Sequence, residues 1–343
     1  MTTFLVVDIG RTNFRMRGCR LDKETGKVQQ VTTDIGISGD LNQLRSTLIQ
    51  GVSRLSDVVR IEEVTVAVIG VPGKVSEDRR SAALTYIDPS GYTDIADWLE
   101  YVGVQKVKLY NDLELGSLGI QATPLAQFSM LSGTKLTQIP DSYMVGMPGT
   151  GLGVGFCRHG IPQATEGGHG QVVYNPDDPV ESHIWRELYR MDQSAFPVYD
   201  DLACGRGLAT LARILSTPPD AVSYQKLDVS SLSDAELPEK LSEWAAASQK
   251  HVSQHNFALE VFHHFGTFLG RALQLPVLTT LPQALFLAGP IISANLEHFQ
   301  NQFLQAFHSH RHHGEWLNSL PIAVVKHPEL NIDGAIEIAK REI

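Results

Sequence analysis

The sequence has little cysteine and no long hydrophobic run. Among its 343 residues only Cys19, Cys157 and Cys204 are cysteines, and they form no paired motif. That spacing argues against a cysteine zinc site and is typical of a reducing compartment. No apolar run approaches the length of a membrane span, and the run Phe4–Val7 is too short for the core of a signal peptide. We therefore expect a cytoplasmic protein that does not bind a membrane.

The chain also lacks an excess of basic residues. Lys and Arg together number 28 and Asp and Glu 38, which gives a net charge of -10. This balance disfavours nucleic acid or an anionic membrane as the main partner, although a local basic pocket for phosphates stays compatible with it. Hydrophobic residues make up 43% of the chain and charged residues 19%. These proportions indicate a globular protein, and the length predicts about two domains.

The first third of the chain shows strand and helix patterns in the order βββαβαβ. The predicted strands are Phe4–Asp8, Asn13–Arg20, Lys27–Asp34, Glu63–Gly70 and Gln105–Tyr110. The predicted helices are Asp40–Ser56, with Asp40 as its N-cap, and Tyr92–Val102. A meander followed by strand–helix crossovers indicates a mixed sheet covered by helices.

The rest of the chain repeats this order around a helical insert at roughly 180–275. The predicted strands here are Tyr143–Met147, Leu152–His159, Pro162–Thr165, Ala284–Leu287 and Pro321–Val325. The predicted helices are Asn295–Phe307 and Asp333–Lys340. Two copies of one βββαβα plan therefore predict an α/β protein built by duplication.

A polar hairpin opens each copy of the plan. In the first copy the apolar strand ends in DIGRTN, and in the second the strands are joined by PGTGLG. Such turns can hold backbone N–H groups toward an anion, and glycine allows their close approach. Because the second loop leads into a strand, a dinucleotide fingerprint or a P-loop is not expected. Each turn alone also fits an ordinary hairpin; together they predict a clamp for nucleotide phosphates.

Two further motifs carry polar side chains at turns. Asn111 and Asp112 follow a predicted strand and open a predicted helix, where an aspartate can accept a proton from a substrate hydroxyl. A simple helix N-cap explains either residue equally well. Glu166 and His169, in TEGGHG, suit hydrogen bonds to vicinal sugar hydroxyls, and a solvated turn is the alternative. The histidines of HSHRHHG are expected to be a solvated helix end rather than a metal site.

Taken in order, DIGRTNFR, LYNDLE, GTGLGVGF, EGGH, GRGLATL and LAGPIIS resemble the motifs of the bacterial-type glucokinases. This family belongs to the actin-like ATPase superfamily, and the resemblance runs nearly end to end. It implies two ribonuclease-H-like α/β domains with a deep interdomain cleft. The small domain would comprise residues 1–112 and 331–343, and the large domain residues 113–330 with the insert.

The resemblance implies that the γ-phosphoryl group of MgATP is transferred to the 6-hydroxyl of glucose. Another hexose, an amino sugar or a cyclitol is an alternative acceptor, and a non-catalytic sugar-binding regulator is an alternative function. Sugar and ATP would be the partners, and a homodimer is left open.

The same resemblance implies roles for single residues. Those matching the first phosphate motif are Asp8, Gly10, Thr12 and Asn13; Arg11 lies between them and is also expected at the nucleotide. Those matching the second phosphate motif and the adenosine motif are Gly149, Thr150, Gly151, Ala288 and Gly289. Those matching sugar-binding positions are Asn111, Asp112, Glu166 and His169, with Asp112 as the general base. Mg²⁺ would be held mainly by phosphates and water, and Asp8 would support it indirectly through water.

Two positions depart from the family pattern. Arg11 stands where the family usually has a second glycine, so it would either add a phosphate contact or obstruct the nucleotide. Asp200 stands where the family has a sugar-contacting glutamate. The lost methylene moves the carboxylate oxygens inward by roughly 1.5 Å, which would loosen or retune the contact with the sugar.

Overall fold

The computed structural model of the protein describes residues 1–10, 14–31, 35–37, 43–56, 58–85, 88–217, 226–247 and 252–343. The strands are β1 (Thr2–Ile9), β2 (Phe14–Leu21), β3 (Val28–Gln30), β4 (Ile35–Ile37), β5 (Val64–Val71), β6 (Gly73–Val75), β7 (Ser81–Leu84), β8 (Asp88–Asp94), β9 (Val107–Asn111), β10 (Phe128–Ser132), β11 (Tyr143–Pro148), β12 (Leu152–Arg158), β13 (Ile161–Thr165), β14 (Leu285–Leu287) and β15 (Ile322–Val325). The helices are α1 (Leu44–Leu55), α2 (Ile95–Glu100), α3 (Asp112–Ala122), α4 (Pro179–Met191), α5 (Gly205–Leu215), α6 (Leu237–Ala246), α7 (Val252–Thr280), α8 (Pro290–His308), α9 (Gly314–Ser319) and α10 (Leu330–Glu342).

The first sheet has the strand order β3-β2-β1-β5-β9, with β4 paired to β2. Strand β1 is antiparallel to β2 and parallel to β5, and β5 is parallel to β9. Parallel strands end at the same edge of a sheet, where open α/β sheets hold their ligands. Asp8 near the end of β1 pairs with Gly70, and Asn111 at the end of β9 pairs with Val71. The sheet therefore brings the first turn and the NDLE motif to one edge.

Both faces of the first sheet are covered, which is why β1 is apolar along its whole middle. Leu5 and Val7 pack in one core cluster with residues of α1 and α2. Phe4 and Val6 point to the other face and pack in a second cluster with residues of α3 and α10. The alternation follows from the two-residue period of a strand.

The second sheet has the order β10-β15-β14-β11-β12-β13. Within it, the neighbours β13, β12, β11, β14 and β15 are the third, second, first, fourth and fifth strands of the second copy. The strands β3, β2, β1, β5 and β9 of the first sheet follow the same order. Strands β11, β14 and β15 run parallel, as β1, β5 and β9 do. The predicted duplication of one α/β plan is confirmed, and β10 is an extra edge strand that the sequence did not predict.

The predicted insert is helical and contributes α4, α5, α6 and most of α7. Helix α7 packs closely on α8 at two glycines. A Cβ on Gly266 would lie 2.7 Å from the carbonyl oxygen of Phe299, and one on Gly270 would lie 2.5 Å from that of Phe303. These helices bury the aromatic core of the second half.

The chain forms two compact units. One contains residues 1–124, 156–164 and 329–343, and the other residues 125–155 and 165–328. Helix α3 belongs to the first unit because it packs against α10, where Gly119 and Gly334 allow a close approach to Leu330 and Leu115. This compact unit extends past the border expected at residue 112.

The predicted helix Tyr92–Val102 is wrong at its start. Residues Asp88–Asp94 form β8, in a three-stranded sheet with β6 and β7, and α2 begins only at Ile95. The side chain of Asp94 accepts a hydrogen bond from the Asp97 N–H, which caps the helix at that point. The predicted N-cap Asp40 lies outside the described residues. No helix in the described parts of the chain is long and apolar enough to cross a membrane.

Candidate functional site

Asp8 lies near the carboxyl end of β1, in the first unit. Its Oδ1 accepts a hydrogen bond from Nδ2 of Asn331 on α10, at 3.0 Å. Burial raises the pKa of Asp8, and the bond from Asn331 and the charge of Arg15 only partly oppose this. No sequence signal pointed to Asn331, because it is 323 residues away along the chain. The contact holds a partly exposed carboxylate in a fixed orientation at the sheet edge.

The first hairpin closes where Ile9 of β1 pairs with Phe14 of β2. Gly10 follows directly on the strand. The other predicted phosphate contacts, Arg11, Thr12 and Asn13, lie outside the described residues. Their roles stay predictions.

Asn111 caps α3, as the alternative interpretation of the NDLE motif proposed. Its Oδ1 accepts the Leu113 N–H at 2.8 Å, and its own N–H donates to Glu114 at 3.0 Å. This is a capping box, reinforced by a bond from Asn111 Nδ2 to the Gly73 carbonyl at 2.8 Å. Arg79, which sequence reasoning missed, holds Glu114 with bonds of 2.5 and 3.1 Å. The network fixes the start of α3; sugar binding by Asn111 stays a prediction.

Asp112 is the first residue of α3 and is partly exposed. Its pKa is raised to about 7, first by burial of the carboxyl and then by the negative charge of Asp8. The Leu113 N–H, 2.9 Å from its Oδ1, opposes the shift. A carboxyl group with a pKa near the working pH can both take up and release a proton efficiently. The site can therefore perform general-base chemistry.

The pair Asp8 and Asp112 suits a hard cation such as Mg²⁺. Both groups offer oxygen ligands, and the pKa of each is raised by burial, so a positive charge nearby would offset an unfavourable environment. No group of three or more candidate ligands that could hold a metal occurs among the residues described.

The glycine loop at residues 149–151 joins β11 to β12 in the second unit. The Gly149 N–H donates to the Gly151 carbonyl at 2.8 Å, which closes a tight turn. The Gly149 carbonyl accepts the N–H of Gly205, the first residue of α5, also at 2.8 Å. Thr150 is exposed, and a Cβ on Gly149 would have no neighbour closer than 4.0 Å. The tip of the loop is open, whereas its base is anchored to α5.

Glu166 and His169 bracket a short helical turn that packs against the end of this loop. His169 Nδ1 lies 3.0 Å from Glu166 Oε2, and the two side chains are 54% and 87% exposed. Between them, Gly168 is so close to Leu152 that an added Cβ would lie 2.1 Å from the Leu152 carbonyl oxygen. Exposure leaves both polar side chains available to a ligand, while the backbone of the turn is fixed.

Asp200 is buried beside the same loop. Its Oδ1 accepts the Leu152 N–H at 2.5 Å, and its Oδ2 accepts a bond from Arg206 Nη2 at 2.5 Å. Only 7% of Asp200 is exposed. Sequence reasoning missed Arg206, because nothing in the motif GRGL distinguishes an ion pair from a solvated arginine. Sugar binding by Asp200 stays a prediction.

The turn of Ala288 and Gly289 follows β14 and lies beside the end of β11, the strand that leads into the glycine loop. Gly289 has φ 104, in the left-handed region that favours glycine, and a Cβ there would be 3.3 Å from the Pro148 carbonyl oxygen. The Ala288 N–H donates to the Gly146 carbonyl at 3.0 Å. The predicted adenosine and second phosphate motifs are thus neighbours within the second unit.

A cavity of about 880 Å³ lies beside the Glu166–His169 turn, in the second unit. Its wall includes an ion pair in which Arg271 binds Glu181 through bonds of 2.6 and 3.0 Å. The two charges neutralise each other. The volume is within the usual range for small-molecule sites.

Two sheets with one strand order, and a glycine loop between the first two strands of the second copy, define an actin-like ATPase fold of the sugar kinase class. A family model described as Glucokinase matches residues 5–342. The chain therefore belongs to the glucokinase family.

Individual relatives agree with this assignment. A glucokinase of Yersinia pestis (strain Pestoides F) is 27% identical over 347 residues, covering 98% of this chain and 96% of the relative. The structure of a Balamuthia mandrillaris glucokinase in complex with glucose has a TM-score of 0.76 at 21% identity, covering 99% of this chain and 94% of that one. A ROK family glucokinase of Streptomyces griseus, in complex with glucose and AMPPNP, has a TM-score of 0.67 at 18% identity, covering 99% of both chains. The expected family and fold class are confirmed.

Proposed function

We propose that this protein transfers the γ-phosphoryl group of ATP to the 6-hydroxyl of glucose. The observation that carries the proposal is Asp112, a partly exposed carboxyl at the sheet edge with a pKa of about 7. Such a group is largely ionised just above neutral pH and can accept the hydroxyl proton as the bond to phosphorus forms. Membership of the glucokinase family supports the same reaction.

In the proposed reaction, the sugar 6-oxygen attacks the γ-phosphorus while Asp112 takes its proton. The new O–P bond forms as the bond from the γ-phosphorus to the bridging oxygen breaks, and ADP leaves with the electron pair. Phosphoryl transfer has a loose transition state, so the position of the hydroxyl matters more than the strength of the base. The capping box at Asn111 and Glu114 serves this by fixing the first turn of α3.

The glycine loop would bind nucleotide phosphates through the backbone N–H groups of its open tip, because the Gly149 N–H is already bonded to the Gly151 carbonyl. The Ala288–Gly289 turn would approach the nucleoside. Mg²⁺ would neutralise part of the phosphate charge, with Asp8 supporting it through water. Asn331 would keep the Asp8 carboxylate directed toward such an ion. Glu166 and His169 would bind sugar hydroxyls.

We further propose that the protein works in the cytoplasm, where glucose phosphorylation begins glycolysis. Its three cysteines are scattered along the sequence and form no paired motif, which is typical of a reducing compartment. A homodimer stays a prediction.

The test is an ADP-release assay with MgATP and a panel of hexoses, amino sugars and cyclitols. Glucose should give the highest kcat/KM. Replacing Asp112 by Ala should lower kcat by roughly 10²–10⁴-fold, the usual contribution of a general base. Asp178→Asn is the matched control, because Asp178 caps α4 and asparagine caps a helix equally well. Unchanged turnover in Asp112→Ala would remove the proposed base, and a better acceptor than glucose would change the substrate.

A further inference from the structure

Asp200 uses both carboxylate oxygens inside the protein. One accepts the backbone N–H of Leu152 and the other accepts a hydrogen bond from Arg206, each at 2.5 Å. With 7% of its surface exposed, the residue has little area left for a ligand. Charge-assisted bonds of this kind are roughly twice as strong as neutral ones. The side chain is therefore committed to the protein.

Leu152, the partner of Asp200, is the residue that directly follows the glycine loop. Its side chain is buried in the core of the second unit, and its carbonyl lies against Gly168. With its N–H bound by Asp200, the position of this residue is fixed through its side chain, its carbonyl and its amide.

The other end of the loop is held by the same part of the chain. The Gly149 carbonyl accepts the N–H of Gly205, five residues after Asp200. The segment from Asp200 to Gly205 thus bonds the loop on both sides of its open tip, at Gly149 and at Leu152. Displacing Asp200 would release one of these two attachments, while the tip itself contains no other side chain than Thr150.

We propose that Asp200 is a positioning residue for the glycine loop, and that it acts on nucleotide binding rather than by bonding a sugar hydroxyl. The inference rests on the proposed function, since it takes the loop to bind nucleotide phosphates. A glutamate at this position would carry its oxygens roughly 1.5 Å further and could not make the same two bonds without moving the backbone. The exchange of Glu for Asp therefore changes what the carboxylate binds.

The first test measures binding by calorimetry, with AMPPNP and Mg²⁺ in one titration and glucose alone in another. In Asp200→Ala the dissociation constant of the nucleotide should rise roughly tenfold, because a charge-assisted hydrogen bond to the loop is lost. The dissociation constant of glucose should stay within about twofold, a difference of less than half a kcal/mol. Asp200→Asn should show a smaller change, since its amide oxygen can still accept the Leu152 N–H.

The matched control is Asp201→Asn. Asp201 is the neighbouring carboxylate, and it accepts the N–H of Val198 rather than any group of the loop. Neither dissociation constant should change. Weaker glucose binding with unchanged nucleotide binding in the Asp200 variants would overturn the inference, and so would no change in either.

The second test combines the variants with monodeoxy analogues of glucose. If Asp200 does not touch the sugar, Asp200→Asn should change kcat/KM by the same factor for glucose and for every deoxy analogue. A departure from additivity of roughly tenfold at one analogue would identify a direct contact with that hydroxyl, and the inference would be wrong.

Thermal unfolding of each variant separates loss of the loop position from loss of the fold. If Asp200→Ala does not fold, the dissociation constants of the nucleotide for Asp200→Asn and Arg206→Gln are compared with wild type. Asp200→Asn removes the charge from the bond to Leu152, and Arg206→Gln removes the partner of the other carboxylate oxygen, so both constants should rise; unchanged constants in both variants would overturn the inference. A wild-type protein that does not bind nucleotide would overturn the proposed function and this inference together. A wild-type kinase whose Asp200 variants bind nucleotide normally would overturn the inference alone.

Discussion

Replacing Asp112 by Asn should make the protein more stable, by an amount that grows with pH. The pKa of Asp112 is raised from the ordinary value of 3.8 to about 7, because its carboxyl is buried and Asp8 adds a negative charge nearby. A folded-state pKa above the unfolded value means that ionisation is harder in the folded protein. Ionisation of Asp112 therefore lowers the free energy of unfolding of the wild type as the pH rises from 3.8 to about 7, and above that pH the loss stays constant.

The gain in the free energy of unfolding of Asp112→Asn follows from the pKa shift of Asp112. A difference of about three pKa units corresponds to about 4 kcal/mol of lost stability above pH 7, at 1.36 kcal/mol per unit. Because Asp112 is partly exposed, water screens the unfavourable field, and we expect about 2 kcal/mol. At pH 5 only the part between 3.8 and 5 has been lost, so the gain should be about one third as large.

The assay is urea unfolding of wild type and Asp112→Asn at pH 5 and pH 8, without ligands, comparing midpoints at constant slope. Asp22→Asn, in the same unit, is the control, because the pKa of Asp22 is shifted in the opposite direction to that of Asp112. The pKa of Asp22 is lowered by the Thr25 hydroxyl and the Glu24 N–H, so its replacement should bring no gain at pH 8. If the difference between Asp112→Asn and wild type is the same at both pH values, the carboxylate is not held in an unfavourable environment and the reasoning fails.

Two further predictions concern the pH dependence of kcat/KM and the turn at Gly168. The kcat/KM for glucose should fall tenfold per pH unit below about 7, because Asp112 must be deprotonated to act as a base; a profile that is flat from acid to neutral pH in the ADP-release assay would contradict this. Gly168→Ala should destabilise the protein by about 1–3 kcal/mol, because its Cβ would lie 2.1 Å from the Leu152 carbonyl oxygen. Thermal unfolding measures the loss, and Gly170→Ala, whose Cβ would have its nearest neighbour at 3.6 Å, should change little.

The elements that sequence patterns predicted well are those whose burial is continuous. Strand β1 is apolar on both faces because helices cover both, and the length of its apolar run marks a buried strand directly. The small sheet of β6, β7 and β8 escaped prediction, because its strands are short and include the turn-forming residues DPSG. A helical period fits such a short polar segment as easily as a strand.

The candidate site shows a similar division. Residue types at strand ends pointed to Asp8 and Asp112, because the carboxyl ends of parallel strands meet at one edge. The partners Asn331 and Leu152 could not be predicted. One lies 323 residues from Asp8, and the other, 48 residues from Asp200, takes part through a backbone N–H that every residue except proline has. Long-range contacts of this kind leave no local pattern.

The contact between Asn331 and Asp8 bears on how the protein is made. The first unit consists of residues 1–124, a hairpin and residues 329–343, so one face of its sheet is covered only in part, by α3, until α10 has been synthesised. A growing chain on the ribosome must therefore hold an incomplete N-terminal half throughout the synthesis of the second unit.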